Sequence, residues 1–217
     1  MLSRHNPSAS LGAWGLWTTP DKRIIIIAPN KTKGKHKVPA LKLGTWNVRT
    51  MTPGLSDNLQ QVSDAWKTAV INNELCRLQV DIIALQETRL PESGIIRERD
   101  YSFFWQGKAA DETREHGVGF AMKNNLLGSV IPPFEGTERL IKLQLQIPAG
   151  LVYLISAYAP TLTSASELKD RFYDDLSAAI SKVPPQEPLS IFGDFNARVA
   201  GSVLTTALGQ LAWATLE

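Results

Sequence analysis

The stretch "IFGDFNARVA", residues 191–200, places a glycine, an acid and an amide at the end of an apolar run. Asp194 follows Gly193 directly, and Asn196 comes two residues later. Because glycine has no side chain, it allows another part of the backbone to approach closely. The run "PLSIFGD" therefore predicts a strand that ends in a polar loop, with Phe192 and Phe195 anchoring that loop.

Apolar patterns before this stretch predict a series of strands and two helices. The predicted strands are 41–48, 80–87, 101–107, 117–123, 139–147, 152–160 and 188–194. The first helix is predicted over 59–79, with a buried face made of Val62, Ala65, Trp66, Ala69, Val70, Leu75 and Leu78. The second carries Leu168, Phe172, Leu176 and Ile180 at four-residue steps. This order is typical of a mixed α/β fold with two sheets flanked by helices.

Residues 1–40 differ in composition from the rest of the chain. Gly, Pro, Ser and Lys are frequent without sustained periodicity, so we expect a basic, poorly ordered leader. The run "RIIIIAP" could form a short strand but has no obvious partner. Residues 1–42 hold eight Lys or Arg and one acid, a net charge of +7, whereas the remainder has a net charge of −5. Such an arm either binds nucleic acid or is simply solvated.

The totals favour a single intracellular domain. The 217 residues are 43% hydrophobic, which is enough for one substantial core. Cys76 is the one cysteine, so no disulfide forms within the chain, as expected in a reducing compartment. The run "IIIIA" is far too short to span a membrane, and we expect no membrane partner.

Polar side chains stand at the ends of four predicted strands. They are Asn47, Glu87, Tyr158 and Asp194, the last followed by Asn196. Taken alone, an acid at a strand end is usually a turn residue or a helix cap. Four strand ends that carry an acid, an amide or a phenol together predict a functional edge.

The types of these residues suit one kind of metal and one kind of reaction. Carboxylate and carboxamide oxygens are hard ligands that favour Mg²⁺ or Mn²⁺. His5, His36, His116 and Cys76 do not have the spacing of a zinc motif, and the sequence has neither a G-x-S-x-G nor a Walker lysine motif. A hard metal with an additional acid and amide suits hydrolysis of a phosphate ester.

A set of ordered motifs resembles the endonuclease/exonuclease/phosphatase superfamily. Within it, the chain is most similar to endonuclease domains of non-LTR retrotransposons and to craniofacial development protein 2-like sequences. The resemblance covers about residues 41–200 and implies a four-layer α/β sandwich of two mixed, largely antiparallel sheets, with Mg²⁺-dependent cleavage of phosphodiesters in DNA. The motifs are "TWNV" (45–48), "LQET" (85–88), "GVGF" (117–120), "ERLIKLQL" (138–145), "ISAYAPT" (155–161) and "GDFNA" (193–197).

The resemblance also implies a role for each strand-end residue. Glu87 would be the principal metal ligand, with Asn47 beside it. Asp194 would position or activate the attacking water or help the leaving group. Asn196 would hydrogen-bond the scissile phosphate, next to Tyr158.

Three further residues receive looser assignments. Arg139 would support the site or contact nucleic acid, the alternative being a surface salt bridge with Glu138 or another acid. His116 is expected in a loop near a DNA-facing surface, as a substrate-binding residue without a catalytic role. Arg49 stands where some relatives have an acid, so the metal shell would be thinner.

The family pattern continues beyond "GDFN" to a final acid and histidine. Residues 201–217 form a divergent tail, and no histidine follows His116. We therefore expect this chain to lack the last strands of its sheets and to have severely weakened catalysis.

Other functions remain open at this point. The same fold could act on RNA or on a small phosphate ester. The chain could instead be a non-catalytic module that binds nucleic acid or protein through "KTKGKHK" (31–37), or it could fold poorly and be inactive. A DNA-directed role would suggest a nuclear location. Target sequence and oligomeric state cannot be predicted.

Overall fold

A computed structural model describes residues 12–19, 22–28, 41–51, 65–148 and 150–196. These residues form eleven strands, two α-helices and a short 3-10 helix. In chain order the elements are β1 (Gly12–Thr19), β2 (Lys22–Ala28), β3 (Leu41–Asn47), α1 (Ala65–Leu78), β4 (Ile82–Gln86), β5 (Ser93–Arg97), β6 (Tyr101–Gln106), β7 (Val118–Lys123), the 3-10 helix (Asn124–Ser129), β8 (Val130–Thr137), β9 (Leu140–Ile147), β10 (Gly150–Tyr158), α2 (Ser166–Ser181) and β11 (Leu189–Asp194).

The strands form two mixed sheets. In the described residues, the larger sheet has seven strands in the order β1-β2-β3-β4-β7-β6-β5, and the smaller has the order β11-β10-β9-β8. Each sheet contains one parallel pair, β3 with β4 and β10 with β11, and the other pairs are antiparallel. The predicted α/β class with mixed, largely antiparallel sheets is confirmed.

Three apolar clusters hold four layers together. Between the sheets, Phe120 of the larger sheet packs in one cluster with Leu143 and Leu154 of the smaller. Leu75 of α1 joins the outer face of the larger sheet. Phe172 of α2 joins the outer face of the smaller one. Each such side chain contributes about 1.5–3 kcal/mol when fully buried.

Strand β4 shows why its sequence is continuously apolar. All five residues from Ile82 to Gln86 are buried. Ile82 and Ala84 face the other sheet, whereas Ile83 and Leu85 face the cluster that contains α1. A strand covered on both faces needs apolar residues at every position.

One face assignment on the first helix was wrong. Leu75 and Leu78 are buried as predicted, but Val70 is 49% exposed. Ile71 is buried instead. It lies four residues before Leu75 and so shares its helix face, whereas Val70 lies five residues before Leu75 and does not. Val62 lies outside the described residues.

The sequence also left three strands unpredicted. Strands β5 and β8 are edge strands of their sheets, and β1 is the outermost strand of the larger one. An edge strand is covered less than a central strand, so its residues show a weaker apolar pattern. The exposure of β5 alternates along the strand, for example.

The run "RIIIIAP" has a partner, contrary to the expectation. Strand β2 pairs antiparallel with β3, with Ile24 opposite Gly44, and β1 pairs antiparallel with β2. A strand's own pattern does not identify the strand with which it pairs. The predicted boundaries at residues 40 and 200 stay predictions, and the tail at 201–217 lies outside the described residues. None of the described helices has the length and apolar character needed to cross a membrane.

Candidate functional site

Four strand ends meet at one edge of the two sheets. In the parallel pair β3–β4, Asn47 lies opposite Gln86, which precedes Glu87. In the parallel pair β10–β11, Tyr158 lies opposite Asp194. The carboxyl ends of parallel strands meet at the same edge, so each pair presents its two polar residues together.

One hydrogen bond joins the two pairs across the gap between the sheets. The Asn47 Nδ2 donates to Asp194 Oδ2 at 3.1 Å. The Asn47 Oδ1 accepts from the backbone N–H of Arg49 at 3.0 Å, which fixes the amide orientation. The structure therefore brings a residue from the start of the domain and one from its last described strand into contact.

A buried polar bridge sets the position of one sheet against the other. The Gln86 Nε2 donates to Ser156 Oγ at 3.0 Å, and Ser156 Oγ donates to Leu85 O at 3.1 Å. The Gln86 Oε1 accepts from Thr45 Oγ1 at 2.9 Å. Because a buried polar group must find its partner, the bridge favours a single alignment of the sheets. Nothing in the local sequence around Ser156 indicates this role.

The loop after β11 is held by its own side chains. The backbone N–H of Asn196 donates to Asp194 Oδ1 at 3.0 Å, forming an Asx-type turn. The Asn196 Nδ2 donates to Ala159 O at 2.8 Å. Phe195 is buried in the cluster that contains Phe172 of α2. The turn fixes the direction of the Asp194 carboxylate.

Gly193 is required by its strand neighbour. A Cβ at this position would lie 2.2 Å from Ala157 O on β10. That distance is shorter than any contact a side chain can make, so only glycine allows β11 to pair here. The pairing of β11 with β10 therefore requires a glycine directly before Asp194.

Glu87 makes an ion pair with Arg89, whose role the local sequence pattern does not indicate. Its carboxylate contacts the guanidinium of Arg89, and both residues have left-handed backbone, with φ of 58° and 55°. The Glu87 side chain is 16% exposed and the Arg89 side chain is 45% exposed. Backbone of this kind is costly for residues other than glycine and is often found at functional sites.

Tyr158 stays a neutral phenol at the edge of the site. Partial burial raises its pKa above the usual value, and the nearby carboxylates of Glu87 and Asp194 raise it further. Arg139 and a hydrogen bond with Asn196 act in the opposite direction. The phenol therefore remains a hydrogen-bond donor at neutral pH.

Arg139 and His116 lie together beside Tyr158. The Arg139 Nη1 donates to Tyr158 O at 3.0 Å, and Nη2 lies 2.9 Å from His116 Nε2. Within the described ranges Arg139 makes no salt bridge, so the alternative of an ion pair with Glu138 does not hold there. Partial burial lowers the pKa of the guanidinium, which nevertheless stays charged at any physiological pH.

The donor set at this edge fits a hard cation. Glu87 offers a carboxylate and Asn47 an amide oxygen, with the carboxylate of Asp194 bonded to the same amide. Mg²⁺ typically takes one or two carboxylates and keeps several water ligands. In the part of the chain that the structure describes, no three His, Cys, Asp or Glu side chains form a metal cluster, so an all-protein cage is absent there.

The predicted site residues thus fall into two contacting groups. Asn47, Asp194 and Asn196 form one, and Tyr158, Arg139 and His116 form the other, with Tyr158 within hydrogen-bonding reach of Asn196. Glu87 acts electrostatically on Tyr158. Carboxylates, amides, a phenol and a cation at one edge form an arrangement suited to binding and cleaving a phosphate ester.

Comparison with curated proteins finds relatives named craniofacial development protein 2. Those of Tragulus javanicus and Bos taurus are both 27% identical to this chain over 168 residues, or 77% of it. The match spans 27% of the first relative's length and 26% of the second's, so this chain corresponds to about a quarter of either.

Comparison with solved structures finds the same fold in TDP2 of D. rerio. A version humanized by 14 mutations gives a TM-score of 0.52 at 16% identity, covering 79% of this chain and 72% of the other. A complex of D. rerio TDP2 with a single strand DNA product gives 0.50 at 17% identity, covering 79% and 66%. At these identities the likeness shows the fold alone.

A family profile settles the lineage. It matches residues 44–214, which is most of the chain and includes every motif from "TWNV" to "GDFNA". The chain belongs to the endonuclease/exonuclease/phosphatase family.

Proposed function

We propose that this chain is a phosphodiester hydrolase that acts on a nucleic acid, with DNA as the first substrate to test and Mg²⁺ (or Mn²⁺) as its cofactor. The observation that carries the proposal is the 3.1 Å hydrogen bond between Asn47 and Asp194. It joins the two parallel strand pairs, so that the four polar strand ends surround one place where a phosphate can bind.

Glu87 and Asn47 are the residues that would hold the metal ion. The Glu87 carboxylate provides the negative charge, and the Asn47 amide provides a neutral oxygen whose orientation is fixed by Arg49 N. A bound Mg²⁺ would withdraw charge from the phosphoryl oxygens. Arg89 contacts Oε1 of the Glu87 carboxylate, so it competes with a metal ion for that negative charge.

Asp194 and Asn196 act on the reacting atoms. The Asp194 carboxylate is oriented by Asn47 Nδ2 and by Asn196 N, so it can accept a proton from an attacking water. The Asn196 amide lies one residue from the buried Phe195 and can donate to a phosphoryl oxygen. Donors that are held in advance do not need to reorganise during the reaction.

Tyr158 and Arg139 bind the phosphate from the other side. The raised pKa of Tyr158 keeps its hydroxyl protonated, so it donates to a phosphoryl oxygen. The Arg139 guanidinium lies over the Tyr158 ring, 5.7 Å from its centroid, and contributes positive charge. His116 positions this pair and does not touch the reacting atoms.

A polymeric substrate is favoured by basic side chains next to the site. Arg89, Lys108 and Arg114 line one depression beside the strand ends, together with Glu115, which pairs with Lys108. Three cationic side chains beside the site suit successive phosphates of a nucleic acid better than a single small ester. The D. rerio TDP2 structure with a single strand DNA product supports this choice by analogy of fold only.

We expect slow turnover. His116 is the one histidine in the described ranges, and it is bonded to Arg139, so no imidazole there is committed to proton transfer with Asp194. Removing a general acid or base commonly costs about 10²–10⁴-fold in rate.

The test is nicking of supercoiled plasmid by the purified chain with Mg²⁺. Glu87→Gln is nearly isosteric but neutral and should abolish nicking while leaving the fold intact by circular dichroism. Glu187→Gln, in the loop between α2 and β11, makes the same change of charge outside the assigned site and should nick normally. Equal nicking by Glu87→Gln and the unsubstituted chain would refute the assigned metal site.

Parallel assays separate the other substrates. A single-stranded RNA tests ribonuclease activity, and release of inorganic phosphate from a small ester tests phosphatase activity. Cleavage of the small ester with intact plasmid would contradict the nucleic-acid assignment. Salt-sensitive DNA binding without any turnover would favour the non-catalytic binding module.

A further inference from the structure

His116 and Arg139 make a hydrogen bond whose direction follows from their chemistry. The distance between Arg139 Nη2 and His116 Nε2 is 2.9 Å. A guanidinium has five N–H donors and no acceptor, so Arg139 donates and His116 Nε2 accepts. The imidazole is therefore neutral and carries its proton on Nδ1.

Arg139 has a second anchor on the neighbouring strand. Its Nη1 donates to Tyr158 O at 3.0 Å, and the backbone N–H of Tyr158 donates to Arg139 O at 2.8 Å. The His116 and Tyr158 rings lie 6.0 Å apart between centroids. Two anchors hold the planar guanidinium in one orientation and use two of its five N–H groups.

We propose that His116 is a positioning residue, whose neutral imidazole holds the Arg139 guanidinium against Tyr158 in the orientation that binds a phosphate of the substrate. The hydrogen bond between His116 and Arg139 does not depend on the proposed function. The identification of the ligand as a phosphate of the substrate does rest on the proposed function. Arginine suits this role because its planar N–H groups match phosphate oxygens.

The backbone of His116 supports a role for its side chain. Its φ is 61°, a left-handed conformation that glycine or asparagine adopts more readily. Its carbonyl accepts from Arg89 N at 2.7 Å, and the next residue, Gly117, donates from its N–H to Glu138 O at 3.0 Å. The loop is thus fixed between the Glu87–Arg89 segment and the turn that leads into Arg139. The backbone conformation alone therefore gives no reason for a histidine at position 116.

The surrounding charges keep the imidazole neutral. Partial burial lowers the pKa of His116 below its usual value of 6.5, and the cations Arg139 and Lys108 lower it further. Glu115 and Glu138 act in the opposite direction. The hydrogen bond from Arg139 to His116 is therefore fully formed above the usual pKa of histidine. It is lost as the pH falls through the lowered pKa of His116 in the folded chain.

A second acceptor is available to the protonated ring. Glu115 Oε2 lies 3.8 Å from His116 Nε2, too far for a hydrogen bond in the present arrangement. Protonation places a hydrogen on Nε2, which then repels Arg139 and can donate to Glu115. Acidification should release Arg139 and weaken phosphate binding.

Nitrogen-15 NMR of the full chain tests the hydrogen bond directly. The His116 signals are assigned by their loss in His116→Gln. We expect the Nδ1–H tautomer at neutral pH and a pKa below 6.5. Arg139→Leu removes the donor and a positive charge, so it should raise that pKa and reduce the Nδ1–H population. A ring protonated on Nε2 at neutral pH would overturn the proposal.

Binding of a fluorescein-labelled single-stranded oligodeoxynucleotide in EDTA tests the positioning role without turnover. His116→Leu should bind about tenfold more weakly at neutral pH, because Arg139 loses a partner. His116→Gln has an amide oxygen near the Nε2 position and should restore most of that loss. Neither leucine nor glutamine is branched at Cβ, so the left-handed backbone strains the two variants alike.

The pH profile separates positioning from a merely structural effect. The unsubstituted chain should lose affinity on acidification, whereas His116→Gln should lose much less, because glutamine does not titrate. Equal profiles for the two would overturn the positioning role. A chain that shows the expected tautomer but binds no oligonucleotide at any pH would refute the proposed function and, with it, the phosphate role of Arg139.

Discussion

The carboxylate of Glu87 is held by the guanidinium of Arg89, two residues further along the chain. A metal ion at Glu87 has to compete with this partner for the negative charge of the carboxylate. An ion pair with an exposed partner such as Arg89 is worth about 0.2–1 kcal/mol, so we expect Arg89→Gln to lower the Mg²⁺ concentration for half-maximal nicking by up to about fivefold. Titration of nicking with Mg²⁺ measures this shift.

Arg97→Gln is the matched control for that prediction. Arg97 is exposed on the edge strand β5, and the substitution makes the same change in net charge. An unchanged Mg²⁺ requirement in Arg89→Gln, or an equal shift in Arg97→Gln, would show that Arg89 does not compete with the metal.

At the residue scale, the types of the site residues were accessible from the sequence but their partners were not. Asp194, Asn196 and Glu87 stand at strand ends, which a local pattern can identify. The contact between Asn47 and Asp194 joins residues 147 positions apart, and no local pattern contains it. The ion pair of Arg89 depends on left-handed backbone at both residues, which single-sequence propensities do not predict.

At the scale of elements, the bridge between Gln86 and Ser156 aligns β4 with β10. Ser156→Ala removes the acceptor of Gln86 Nε2 and leaves a buried N–H unpaired. We expect a loss of about 1–3 kcal/mol in the free energy of unfolding. Urea denaturation followed by circular dichroism measures it.

A double-mutant cycle tests whether the two side chains act together. The double variant Gln86→Leu/Ser156→Ala lacks both polar partners of the bridge. Its loss in the free energy of unfolding should therefore be smaller than the sum of the two single losses by at least about 0.5 kcal/mol. Additive losses would mean that the bridge contributes nothing as a pair.

Helix α2 provides a second test at this scale, because some residues of its predicted apolar face are buried and others are exposed. Phe172 is buried, whereas Leu168 is 52% exposed although it lies four residues earlier. Phe172→Ala should cost about 3–5 kcal/mol and Leu168→Ala less than about 0.5 kcal/mol. Thermal or urea unfolding of the two variants measures the difference, and equal losses would contradict this placement of the helix.

The four-step spacing predicted α2 correctly but not the extent of its contact with the sheet. Steps of four residues drift around a helix of 3.6 residues per turn, so a long row cannot stay on one face. Phe172 and Leu176 lie at the centre of the row and are buried, while Ile180 is partly buried. The ends of such a row are the positions where sequence alone is least informative.

At the scale of the whole molecule, the order of elements along the chain predicts the layers of the fold. It does not predict which strands lie at the edges of the sheets. Alternating apolar runs and two amphipathic helices are enough to predict two sheets with helices outside them. Strand β2 joins the larger sheet by pairing with β3, and β1 joins it by pairing with β2, through backbone hydrogen bonds that do not identify the partner from the side-chain pattern.

The pairing of β2 with β3 gives the last prediction. Strand β3 ends on Asn47, and its other neighbour is β4, so β2 covers an edge that would otherwise expose unpaired backbone groups. Deleting residues 1–30 should speed hydrogen–deuterium exchange in Leu41–Trp46 and promote self-association. Deleting residues 1–10 should do neither, because β1 begins at Gly12. Exchange followed by mass spectrometry, with light scattering, tests both. Equal protection in the two deletions would favour a solvated basic leader over a hairpin that completes the sheet.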